Sequence, residues 1–158
     1  MPDVAIIYGS TSDEQVMQGA CDILDEYKVS YETRVLSAHR QPDETAAFAR
    51  DAAANGTKVI IAGAGCAAHL AGAIAANTVL PVIGVPLDGS SLSGLDSLLS
   101  TVQMPKEIPV ATVAIGKAGA INAALLAIEM LALSDQDLSA ALIKRRERLA
   151  EDVKKIVI

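Results

Sequence analysis

Five short apolar runs recur along the chain, each separated from the next by a stretch whose apolar residues keep helical spacing. The runs are DVAIIY (3–8), YETRVL (31–36), KVIIAG (58–63), PVIGVP (81–86) and VATVAI (110–115), rich in Val and Ile. Strands covered on both faces read as near-continuous apolar runs, which points to a parallel sheet. Helical patterns fill 13–28, 43–55, 67–77, 93–101 and 118–133; Val16, Met17, Ala20, Ile23, Leu24 and Tyr27 mark the buried face of the first. Strand–helix alternation with short, right-handed crossovers leaves few topologies. The expectation is a doubly wound, three-layer α/β fold, with residues 1–158 forming one domain. An extra C-terminal helix, about 135–156, is expected after Ser134 as N-cap, with Asp135 and Asp137 in its first turn. Its KRRERLAEDVKK section fits a solvated face or an arm that crosses to another subunit.

Composition narrows the partners. A chain of 158 residues can bury roughly 70% of its unfolded surface. With only 3% aromatic residues the core must be aliphatic, and so apolar a chain suggests that part of its surface is covered in an oligomer. A net charge of −6 and a pI near 4.8 argue against a nucleic-acid partner. Six of the 13 basic residues lie between Lys144 and Lys155, so a phosphate held elsewhere must rely on few cations; Arg40 and Lys117 are candidates. Cys21 and Cys66 set neither a disulfide framework nor metal-ligand spacing. The opening MPDVAIIYGS turns polar by Gly9, too early for a signal peptide, and no apolar run reaches the ~20 residues of a membrane span. A cytoplasmic location without membrane attachment is expected.

In doubly wound sheets, ligands bind beyond the carboxyl ends of the strands. The segments that follow the five runs are GSTSD (9–13), SAHRQPD (37–43), GAGCAAHLAG (63–72), LDGSSLSG (87–94) and GKAGAINA (116–123). They are expected to converge on one edge, and they hold both histidines. In GSTSD, Gly9 allows close backbone approach, and Ser10 and Ser12 offer hydroxyls at a helix start that favours anions. Asp13 could cap that helix or accept ribose hydroxyls. The segment lacks the GK[ST] ending of a P-loop. His39 can exchange a proton near neutrality, and Arg40 can clamp a phosphate or carboxylate; a surface histidine beside a chance arginine is the plainer reading. Gly63, Gly65 and Ala68 form a relaxed dinucleotide fingerprint with Asp88 as its later acid. That fingerprint follows the third strand, and five strands are too few, so a smaller planar or anionic ligand fits better. Cys66 is either small apolar filling or an activated thiol. His69 is either a core residue bonded to backbone or a site group.

Taken together, GSTSD, SAHRQPD, IIAGAGCAAHLAG, PVIGVP, LSGLDSLLSTVQMP and VATVAIGKAGAINAALLA resemble the PurE family of purine biosynthesis, in order and across essentially the whole chain. The resemblance implies a flavodoxin-like fold, a homo-octamer, and synthesis of 4-carboxy-5-aminoimidazole ribonucleotide without metal, biotin or nucleotide cofactor. One branch of the family is a mutase that moves the carboxylate of N5-carboxyaminoimidazole ribonucleotide from the exocyclic nitrogen to the ring carbon. The other carboxylates aminoimidazole ribonucleotide directly with carbon dioxide. SAHRQP and GAGCAAHLAG resemble the mutase pattern; a non-catalytic nucleotide-binding module of the same fold is the alternative from another class. Carried over by position, His39 matches the general acid/base, and Ser10, Asp13 and Arg40 resemble substrate-binding residues, with Ser12 and Ser37 as supporting hydroxyls. Ala64, Gly65, His69 and Leu70 correspond to the surroundings of the migrating carboxylate. Gln41, Cys66 and Ala71 depart from the family's usual threonine, glycine and proline. The usual glycine counts against a nucleophilic role for Cys66.

Overall fold

The computed structural model describes residues 1–155. Its strands are β1 (Val4–Tyr8), β2 (Tyr31–Val35), β3 (Val59–Gly65), β4 (Val82–Leu87) and β5 (Ala111–Thr112). They form one sheet in the order β2-β1-β3-β4-β5, with every neighbouring pair parallel. This is the flavodoxin-like order of a doubly wound sheet. The helices are α1 (Glu14–Glu26), α2 (Pro42–Asp51), α3 (Leu70–Ala75), α4 (Leu95–Val102), α5 (Lys117–Ala132) and α6 (Gln136–Lys154).

Side-chain alternation along the strands divides the interior into two cores. Val4, Ile6, Val59, Ile61, Ile83 and Val85 meet Met17, Ala20 and Leu24 of α1 and an alanine stripe of α5, Ala120, Ala123, Ala124 and Ala127. That stripe repeats at helical spacing, and its small side chains let α5 lie close to the sheet and to α1. On the other face Ala5, Ile7, Ile60, Ala62 and Val82 meet Ala49, Ala52, Leu70, Ala71 and Ile74. The three central strands are therefore apolar on both sides, as a parallel sheet requires. Each fully buried Ile contributes about 1.5–3 kcal/mol, against about 0–1 kcal/mol for an exposed ion pair such as Lys58–Asp3. Burial, not charge, holds the sheet.

Several expectations shift in detail. β2 is an edge strand, and its Glu32 and Arg34 pair with each other at 2.8 Å, which suits an edge that must not recruit another chain. β3 runs two residues beyond its expected end, to Gly65. β5 shrinks to two residues; after it the chain only grazes β4, with the Val113 N–H donating to Gly84 O and the Gly116 N–H to Pro86 O. The cap of α6 is Asp135 and not Ser134: its carboxylate accepts from the N–H groups of Asp137 and Leu138, both at 3.0 Å. Leu138 and Leu142 of α6 pack on the α1–α5 core from outside, and Arg145 reaches Glu26 at 3.0 Å. The last residue of the expected 135–156 helix lies outside the described residues.

Gly84 is where β4 meets two helices at once. A Cβ there would stand 2.4 Å from Thr101 Cγ2 of α4, 3.0 Å from Val110 Cγ1 and 3.3 Å from Ala71 Cβ of α3. Thr101 is held in place by its own hydroxyl, which donates to Ser97 O at 2.7 Å. Gly84→Ala is expected to destabilise the fold by about 1–3 kcal/mol, the scale of overpacking. Denaturant titration measures it; an unchanged midpoint would show that α4 moves freely away from the sheet.

Candidate active site

The crevice of a doubly wound sheet opens where successive connections leave in opposite directions, here between β1 and β3. A cleft of about 560 Å³ occupies that place. It is lined by Ser10, Ser12, Asp13, Ser37, His39, Arg40, Ala64, Gly65, His69 and Leu70, so all ten residues singled out from the sequence meet in one hollow. A larger hollow of about 810 Å³ lies at the opposite edge, beside Asp3 and Lys58. Its charges largely neutralise one another, Lys58 with Asp3 and both Arg145 and Arg148 with Glu26, and it contains neither a histidine nor a cysteine.

The segment after β1 forms a 3-10 turn, Thr11–Asp13, before α1 begins. Ser10 caps the turn: its hydroxyl accepts from the Ser12 N–H at 3.3 Å and from the Ser12 hydroxyl at 3.0 Å. Asp13 is half-buried, and burial pushes its carboxyl above the usual range; hydrogen bonds from Ser10 and Ser12 offset only part of that rise.

The segment after β2 is closed by its own hydrogen bonds. The Gln41 N–H donates to Ser37 O at 2.7 Å, and Gln41 Oε1 accepts from the Ser37 N–H at 3.4 Å. Gln41 thus ties its own loop together, while giving α2 no side-chain cap. Arg40 donates through Nε to Ser37 Oγ at 3.2 Å and through Nη2 to Gly9 O at 3.0 Å. Among the described residues its guanidinium has no carboxylate partner, so a fixed, uncompensated cation stands at the cleft.

Ala64 and Gly65 are not loop residues. They continue β3 in register with Pro86 and Leu87 of β4, so this wall of the cleft is sheet backbone. Cys66 follows at φ +55°, in the left-handed region, where an L side chain costs roughly 1–2 kcal/mol. A glycine is the unstrained occupant, and among the described residues the exposed thiol bonds nothing that would activate it. Ser100 of α4 secures the turn from beneath: its hydroxyl accepts from the Ala68 N–H at 2.9 Å and lies 3.4 Å from Cys66 O. His69 is exposed, which removes the core reading, and among the described residues its ring bonds no backbone. Instead His39 Nε2 and His69 Nδ1 lie 2.8 Å apart, with the rings edge to face.

Four of the five segments reach the cleft. The fourth contributes Leu87, Asp88 and Gly89, none of which was singled out as a binding residue; Asp88 was weighed only as part of a dinucleotide fingerprint. The fifth does not reach it. Lys117 lies against α1, with its Cγ beside Gly19, so it is no phosphate ligand of this cleft. The supporting role of Ser100 carried no sequence signal beyond its place in a helix.

The chain is similar to known proteins over nearly its whole length. The family model described as AIR carboxylase matches residues 3–152. N5-carboxyaminoimidazole ribonucleotide mutase of Bacillus subtilis is 58% identical over 96% of this chain and 94% of its own. The mutase of Escherichia coli K12 is 53% identical over 95% of this chain and 89% of its own. Among solved structures, Treponema denticola PurE superposes with a TM-score of 0.85 at 26% identity, covering both chains in full.

The raised carboxyl of Asp13 has a consequence for stability. A carboxyl whose pKa is higher in the folded than in the unfolded chain favours folding while protonated, and that benefit disappears as pH rises through the folded value. At neutral pH the Asp13 charge therefore weakens the fold. Asp13→Asn is expected to melt higher than the parent at pH 7, with the difference closing toward acid pH, where both side chains are neutral. Melting curves across pH measure this; a lower melting point for Asp13→Asn at pH 7 would contradict it.

Proposed function

The chain belongs to the AIR carboxylase family, and on that premise we propose that it converts N5-carboxyaminoimidazole ribonucleotide to 4-carboxy-5-aminoimidazole ribonucleotide, as a mutase of purine biosynthesis. The observation that carries this reading is the meeting of His39 with a fixed, unpaired Arg40 in one cleft, in a chain 58% identical to a named mutase.

The parts divide by chemistry. Arg40 and the hydroxyls of Ser10, Ser12 and Ser37 hold the phosphate, because a guanidinium already tethered to Gly9 O loses little freedom on binding. Asp13, ionised above its raised range, accepts the ribose hydroxyls. The sheet backbone at Ala64 and Gly65, with His69 and Leu70, surrounds the migrating carboxylate.

In the reaction the bond between the exocyclic nitrogen and the carboxylate carbon breaks, and the electron pair returns to nitrogen, which takes a proton. The carbon dioxide released is kept beside the electron-rich ring, so its recapture is local and not a bimolecular encounter. The ring carbon attacks it and then loses its hydrogen as a proton. His39 carries these protons, one to the nitrogen and one from the carbon, so that the enzyme ends as it began.

The expected assembly is a homo-octamer in the cytoplasm. An exposed apolar stripe on and just before α4, Leu92, Leu95, Leu99 and Val102, supports burial between copies. Light scattering is expected to give eight times the 16.3 kDa chain mass, and a monomeric mass would contradict the assembly.

The activity is tested by NMR with labelled N5-carboxyaminoimidazole ribonucleotide in buffer purged of carbon dioxide. Conversion to the ring-carboxylated isomer, faster than spontaneous decarboxylation, is expected. His39→Asn should bind substrate and lose at least ~100-fold in turnover. Product formed only from aminoimidazole ribonucleotide and bicarbonate would favour the direct carboxylase; saturable binding with no turnover would favour a binding module.

A further inference from the structure

The only two histidines of the chain, 30 residues apart, are bonded to each other. That contact decides which nitrogen of His39 can meet the substrate. Nε2 is engaged by His69 Nδ1 at 2.8 Å, so Nδ1 is the nitrogen left free. A hydrogen bond between two imidazole nitrogens needs one N–H and one lone pair. If the pair is neutral and Nδ1 of His39 is to act as a base, the proton must sit on His39 Nε2 and point at His69, whose own proton is then on Nε2.

We infer that His69 is a positioning residue for proton transfer: its Nδ1 lone pair holds the proton of His39 on Nε2, keeping the Nδ1 lone pair of His39 free for the substrate. This rests on the proposed role of His39. At the start of a turnover the pair is a three-proton cation, whose charge His69 stabilises as acceptor. Giving the proton of His39 Nδ1 to the exocyclic nitrogen as the carboxylate leaves yields the base form, with two protons, on His39 Nε2 and on His69 Nε2. Taking the proton from the ring carbon onto His39 Nδ1 then restores the cation. Protons therefore balance over the isomerisation, with no exchange with solvent required.

The geometry isolates the pair. Asp13 from the turn after β1, Arg40 from the loop after β2, Cys66 from the end of β3 and Asp88 from the loop after β4 line the same cleft. Among the described residues no side-chain hydrogen bond joins any of them to either imidazole, so there His69 is the ring partner that can select the tautomer of His39. A group that only touched the substrate carboxylate would not need its Nδ1 turned toward another histidine.

Two measurements test this. In protein labelled with nitrogen-15 at histidine, the ring signals of the neutral form are expected to show the proton of His39 on Nε2. A proton on Nδ1 of His39 in the neutral form would overturn the assignment. In kinetics, His69→Ala should lower kcat by roughly tenfold or more, within the ~100-fold scale of the group it orients, whatever its effect on KM. The limb of the kcat–pH profile that reports protonation of the pair should move toward acid, because the cation loses its acceptor. His69→Asn, whose Oδ1 can accept near the position of Nδ1, should recover most of the rate. A raised KM with kcat and pH profile unchanged would instead make His69 a simple contact to the carboxylate. The parent reading fails separately: wild-type turnover in His39→Asn would remove His39 itself, whereas an inactive His39→Asn beside a normal His69→Ala would remove only the partner.

Discussion

The pairing of β1 with β3 is the constraint on which the rest of the molecule depends. The two strands lie side by side in the sheet but are separated by a helix, an edge strand and a second helix in the chain. Their register, Val4 with Val59 through Tyr8 with Gly63, brings the turn after one against the end of the other. The Gly9 N–H donates to Gly63 O at 3.3 Å, so the pairing continues into the first residue of the site. The crevice between the diverging connections is a consequence of this order and needs no further device. Residues that are buried in pairs along the strands thus become a binding hollow where the strands end.

Around that crevice, the site is stiffened by bonds that cross between segments. Arg40 from the second segment holds the carbonyl of Gly9 in the first. Ser100 from α4 holds the turn of the third. His39 and His69 join the second to the third. An active site built from loops is ordinarily the mobile part of a fold, yet here one wall is sheet backbone and the others are bonded to their neighbours. Orienting groups before the substrate arrives is what the proposed reaction, with its short-lived carbon dioxide intermediate, requires.

Much of this was legible in the residues, for physical reasons that can be separated. Continuous apolar runs such as VIIAG and PVIGVP report burial on both faces, so the parallel sheet followed directly, and the Gly- and Ser-rich segments after them marked the carboxyl edge. The ten candidate residues lie in those segments, Ala64 and Leu70 marked only by the family resemblance and not by any chemistry of their own. What remained hidden was long-range. Nothing local in SAHRQPD or GAGCAAHLAG states that their histidines touch, because that contact depends on where β2 and β3, on either side of β1, place the two segments. Lys117 misled for the same reason: a lysine after a strand is on the right edge, but β5 lies at the far side of the sheet from the crevice. Cys66 became interpretable only with its backbone angle, which explains why glycine is at ease there and why the cysteine carries a backbone cost. Ser134 and Asp135 were both sound caps by type, and only the direction of the Asp135 carboxylate separated them.

The same pairing governs when the site can exist during folding. A β1–α1–β2 unit can form from neighbouring residues, but it contains only two of the four cleft-forming segments. The third arrives when β3 inserts beside β1, a contact that closes a long loop and is therefore slow to form. Until that insertion, His39 lies at one end of an incomplete sheet with no partner ring, and Arg40 has no fixed wall opposite it. Competence should appear in a single late step, together with burial of the central strands, and not grow in proportion to secondary structure. A chain emerging during synthesis already holds β1, α1, β2 and α2 before the segment that partners His39 has emerged.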